Sequence, residues 1–178
     1  MRKTSTYARK QRQNADAGTF NGAEWLNTIQ RCTSYTDDPI IGSWIKGTKS
    51  AARTAMLRVR SAFEAIKAGI STQDGEDFDV LCYAMGVAWL RAIEIAGDDE
   101  FDNPMLPILK AAIAAMERCR ARFKKLGRWG FDGPALDDMD AGVEIYETII
   151  QASSPAQMSA VAERRQAILE AQLAAQNT

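Results

Sequence analysis

The chain has 178 residues, 46% hydrophobic and 25% charged, enough for one domain whose core needs no disulfide or metal staple. Its formal net charge is −1 and it contains no histidine. No global field therefore draws it to nucleic acid or membrane, and Ser-His pairs, Cys-His pairs and His-containing metal motifs are excluded.

Sparse aromatics (8%) and abundant, well-distributed alanine favour helices over strands. Residues 1–20 are polar and basic, carry no apolar period and read as a flexible N-terminal arm. Asn21 and Glu24 are spaced as a capping box for a short helix through Trp25, Leu26 and Ile29. Asp37-Asp38-Pro39 opens a turn or brief helix carrying Ile40, Ile41, Trp44 and Ile45. From about 48 to 68, Met56, Val59, Phe63 and Ile66 recur at helical spacing, and Gly69 is placed to end the helix.

A long helix is predicted from about 73 to 96. Phe78, Leu81, Cys82, Met85, Trp89, Ala92 and Ile93 form one stripe, while Val80, Val87 and Leu90 add apolar surface elsewhere. Such a helix belongs at the centre of a fold, with more than one face covered. Asn103-Pro104 starts a helix to about 126 that should bury Met105, Leu109, Ala112, Ile113, Met116, Cys119, Phe123 and Leu126. The loop Arg128 to Pro134 carries Trp129 and Phe131, which should plug the end of the bundle. A helix from about 134 to 152 turns Leu136, Met139, Val143, Tyr146 and Ile150 inward. Ser154, Pro155 and Gln157 form a cap, first-position proline and capping box for a last helix to about 175. The expected fold is all-α: an irregular or orthogonal single-domain bundle over residues 21–178, with about five main helices and one or two short ones.

Charge is segregated along the chain. Residues 1–69 carry 12 basic and 5 acidic side chains; 70–109 carry 1 and 9; 110–130 carry 7 and 1; 131–178 carry 2 and 8. Cys32, Cys82 and Cys119 are odd in number, far apart and in no metal-type spacing, and read as small core hydrophobes. No secretory signal or membrane-length apolar run is evident, so a reducing cytoplasm is the expected compartment.

Little catalytic chemistry remains. Glu76 and Asp79 form an E-x-x-D pair, and Asp137 with Asp140 and Glu144 with Glu147 repeat the spacing on a later helix. Facing pairs of this kind, such as Glu76, Asp79, Glu144 and Glu147, could hold Mg²⁺ beside a phosphorylated substrate, a Mg-dependent phosphohydrolase reading. The competing reading is structural, because the acidic runs fall at helix N-termini, where the helix dipole favours them. No cofactor is expected.

Two basic features are stronger. Arg118, Arg120, Arg122, Lys124, Lys125 and Arg128 put six cations into eleven residues at a helix C-terminus, more than capping needs. Cys119, Phe123 and Leu126 interleave with them and should face inward, so the cations should fan over the outer face and meet an acidic surface, on this chain or a partner, or phosphates. Arg2, Lys3, Arg9, Lys10 and Arg12, with Tyr7, form an arm that could lie along nucleic-acid phosphates.

Met1-Arg2-Lys3-Thr4-Ser5-Thr6-Tyr7, Gly42-Ser43-Trp44-Ile45, Asn103-Pro104-Met105-Leu106-Pro107, Trp129-Gly130-Phe131-Asp132-Gly133-Pro134-Ala135-Leu136 and Ser153-Ser154-Pro155-Ala156-Gln157-Met158 together resemble small helical proteins of unassigned function carried by proteobacterial prophages and mobile elements. The resemblance spans most of the chain and supplies no catalytic or binding residues. It implies an accessory protein that binds and redirects or inhibits a host protein, including defence machinery. The sequence thus points first to a non-enzymatic protein binding a host or phage macromolecule through segregated charged surfaces, with homo-oligomerisation a linked expectation. A DNA- or RNA-binding regulator using the basic arm is the alternative, and the phosphohydrolase a second one.

Overall fold

The computed structural model describes residues 49–176. The 1–20 arm, the short helices expected at Asn21–Ile29 and near Trp44, and Cys32 lie outside the described residues. Those that are described form an all-α bundle of five helices: α1 Lys49–Ala68, α2 Glu76–Ala96, α3 Met105–Leu126, α4 Gly133–Ala152 and α5 Pro155–Gln176.

Helix ends follow local chemistry. Gly69 and Gly127 adopt positive φ after α1 and α3, the left-handed conformation that closes a helix and that L side chains resist. Asp132 caps α4, its side chain accepting from Ala135 N at 2.8 Å, with Pro134 in the first turn. Ser154 and Gln157 form the reciprocal box that opens α5, at 3.3 and 2.8 Å. α2 starts three residues later than its periodicity suggests, because Asp74 accepts from Thr72 Oγ1 and Glu76 N and folds 72–75 into a turn.

The α2–α3 junction rests on one side chain. Asn103 is fully buried and donates from Nδ2 to Ala92 O (2.9 Å) and Gly97 O (2.8 Å), while its Oδ1 accepts from Met105 N. It therefore satisfies carbonyls at the end of one helix and an amide at the start of the next.

α2 packs against each of the other four helices. That explains a run of buried residues, Val80 through Ala88, instead of a single stripe. α3 and α4 approach closely at Gly142, where an added β-carbon would stand 2.4 Å from Ala112 Cβ and 3.1 Å from Met85 Sδ. Val59, Phe63 and Ile66 of α1 and Met139, Val143, Tyr146 and Ile150 of α4 are buried as expected. Met56, Trp89, Ile93, Met105 and Leu136 pack from the margin of the core instead of its centre. Leu126 contradicts its expectation: it is 51% exposed. It occupies the last residue of α3, where helical rhythm continues but no neighbouring helix reaches it.

The loop after α3 closes the bundle as expected. Trp129 is stacked between Phe123 of α3 (centroids 4.0 Å apart) and Phe78 of α2 (4.6 Å). Phe131 is buried against Phe63 of α1 at 6.0 Å. Among the described residues, no helix is long and apolar enough to cross a membrane.

Candidate functional site

The six cations around the end of α3 divide by position. Arg118 turns toward α4, its Nη2 lying 3.0 Å from Asp138 and its Nε 3.8 Å from Asp132. Part of the basic block therefore meets an acidic surface on its own chain. Arg122 turns inward against Gly130, and its Nε is buried with no hydrogen-bond partner among the described residues. The expectation that all six fan outward is thus corrected: the Phe123–Trp129 stack draws the loop back over α3 and covers the Arg122 stem. Arg120 is half-buried and partnered.

Lys124, Lys125 and Arg128 are exposed and make no ion pair among the described residues. Two forces keep them in place. The last turn of α3 carries the negative end of the helix dipole, and the Phe78–Trp129–Phe123 stack fixes the loop from which Arg128 projects. Three unpaired cations and the exposed Leu126 thus stand at the same end of the bundle, a surface suited to macromolecular contact.

Cys119 lies beneath this surface. Burial pushes its thiol up to about 11, against the opposing pull of a Gly130 backbone hydrogen bond and the Arg122 charge. A buried thiol held neutral packs as an apolar group and is a poor nucleophile. Cys82 is also buried and free, so both described cysteines sit in the core.

The proposed carboxylate constellation is not assembled. Glu76 pairs with Arg58 at 2.6 Å, and Glu147 with Arg60 at 2.8 Å. Asp140 takes the other arm of Arg60 at 2.7 Å. The arginines of α1 thereby tie the acidic start of α2 and the middle of α4 into the bundle. Among the described residues, no group of three or more acidic or cysteine side chains is close enough to hold a metal ion. Arg2, Lys3, Tyr7, Arg9, Lys10 and Arg12 lie outside the described residues.

Sequence reasoning missed two features. Arg165 of α5 is 3% exposed, its guanidinium 4.7 Å from the centroid of the Tyr83 ring. Its neighbour Arg164 pairs with Glu94 at the surface, so composition gave no sign that one of two adjacent arginines is internal. Phe101 is the second: it is 95% exposed at the tip of an acidic loop formed by Asp98, Asp99, Glu100 and Asp102. Its backbone N–H donates to Asp99 Oδ1 at 2.8 Å, and the loop base is tied by Asn103, so the ring is displayed on an ordered turn. An aromatic outside any apolar period was the available signal.

Comparison with protein-family models, curated proteins and solved structures finds no match to this chain.

Proposed function

We propose that this is a non-enzymatic interaction protein that binds a macromolecular partner through the basic end of α3. The observation that supports this reading is the exposed, unpaired triad Lys124, Lys125 and Arg128 at the end of α3 and on the loop fixed by aromatic stacking. Its unpaired charge is available to a partner without first breaking an internal ion pair. In the prophage or mobile-element setting that the sequence resemblance implies, the partner is a host protein with an acidic surface, and binding redirects or inhibits it.

The test is recovery of the tagged full chain from a proteobacterial lysate with and without nuclease, beside a Lys124→Glu/Lys125→Glu/Arg128→Glu variant. A near-stoichiometric protein that survives nuclease and is lost with the variant supports the reading. Companions that disappear on nuclease treatment move the function to the basic arm and to nucleic acid. A companion retained unchanged by the variant refutes the assignment to α3.

A further inference from the structure

The outward face of α3 runs between two opposite charges. At its start stands the acidic loop, where Asp98 and Asp102 are exposed and make no ion pair among the described residues. At its end stand Lys124, Lys125 and Arg128. The helix has 22 residues, about 33 Å at 1.5 Å per residue, so the two charges of one chain cannot reach each other. Between them the half-buried Pro107, Ala111 and Ala114 and the exposed Ala121 are small, and Lys110, Glu117 and Arg118 flank them. Small side chains permit close approach of another helix without forcing it to a distance.

We propose that this face is where two copies of the chain meet, α3 against α3, antiparallel, about a two-fold axis close to Ala114. The proposal rests on reading the cations at the end of α3 as contact residues, and adds a second copy as an occupant that competes with the host surface for them. With the axis next to Ala114, the basic end of each copy, with Lys125 and Arg128, comes to the end of the other that carries Asp99 and Asp102 just before α3. Lys110, which already bridges to Glu100 at 2.9 Å, falls opposite Glu117. A two-fold arrangement makes every contact twice and closes on itself, leaving no free end for further growth.

Charge complementarity between the two ends of α3 is what makes a second copy a fitting occupant of this face. The acidic half stands just before α3 and the basic half at and just after its end, so an antiparallel second copy brings opposite charges together at both ends of the helix.

Sedimentation of the full chain across a wide concentration range, at low and high salt, tests the proposal. The expected result is a monomer–dimer equilibrium that weakens as salt screens the four end contacts. Lys125→Glu and Asp102→Lys should each weaken dimerisation by about tenfold or more, and the chain carrying both should recover most of the loss. A second test does not depend on charge. In a Cys32→Ser background, Ala114→Cys should form an intermolecular disulfide under mild oxidation far faster than Ala121→Cys, which lies on the same face but away from the axis.

A monomer under all conditions, or equal cross-linking at 114 and 121, overturns the proposal. If the chain stays monomeric while lysate capture still depends on the triad, the self-pairing alone fails. If capture is also indifferent to the triad, the interaction reading fails with it.

Discussion

Replacing Gly142 by alanine should destabilise the protein, although the same change in an exposed helix would stabilise it. Relieving the backbone freedom of a mid-helix glycine is worth about 1 kcal/mol. Here the added methyl would stand 2.4 Å from Ala112 Cβ and 3.1 Å from Met85 Sδ. Carbon atoms rest at roughly 3.5–4.0 Å, so α3 and α4 must separate by about 1 Å or more along their contact. Overpacking of this kind costs about 1–3 kcal/mol, and here toward the upper end, because the obstacle is a helix-borne β-carbon that cannot rotate away. The net expectation is a loss of about 1–2 kcal/mol, or roughly 3–6 °C in Tm for a chain of this size. Ala112→Gly removes the obstacle at its own propensity cost, so Gly142→Ala should be close to neutral, or favourable, in that background. A double-mutant cycle by thermal and urea unfolding should therefore give a coupling of about 2 kcal/mol. A rise in Tm for Gly142→Ala alone, or additive single effects, would refute the close-approach argument.

Trp129→Ala should cost about 2–3 kcal/mol, since it removes the middle ring of the Phe78–Trp129–Phe123 stack, and urea unfolding should show it; a loss under 1 kcal/mol would mean the loop does not hold the bundle shut. Cys119 carries a folded-state pKa raised to about 11 from an ordinary 9.0. The native state therefore keeps the proton longer than the unfolded one, and stability should be full below pH 9 and decline, by on the order of 2 kcal/mol, as pH rises toward 11. Cys119→Ala should flatten that part of the profile, and in a Cys32→Ser background neither remaining cysteine should react with a thiol reagent at pH 8 until denaturant is added. Ser154→Ala should cost about 1 kcal/mol and raise amide hydrogen exchange in the first turn of α5, leaving α2 and α3 unchanged.

Elements governed by near neighbours in sequence were legible, and those governed by geometry across the bundle were not. The Ser154–Gln157 box, Gly69 and Gly127 act within a few residues, so the ends of α1, α3 and α5 could be placed from spacing alone. The central position of α2 was also readable, because Val80, Val87 and Leu90 break the single stripe. Leu126 was misplaced because periodicity specifies a face of a helix but not how far along it the neighbours extend. Arg122 was read as outward for a related reason: its burial depends on where Trp129 lands, which is set by rings on two other elements. The acidic pairs on α2 and α4 gave a metal spacing, but α1 inserts Arg58 and Arg60 against them, a tertiary fact with no local signature.

Asn103 has a consequence for how this protein can change. Its side chain ties Ala92 O, Gly97 O and Met105 N beneath the acidic loop, so residues 98–102 are fastened at the base, with Lys110 on Glu100 as a second hold. The segment above the tie can lengthen, shorten or exchange its chemistry while α2 and α3 keep their alignment. In engineering terms the tip is a graftable position: a foreign recognition loop inserted between Asp98 and Asp102 would inherit an anchored base, and Asn103 is the one residue such a graft must keep.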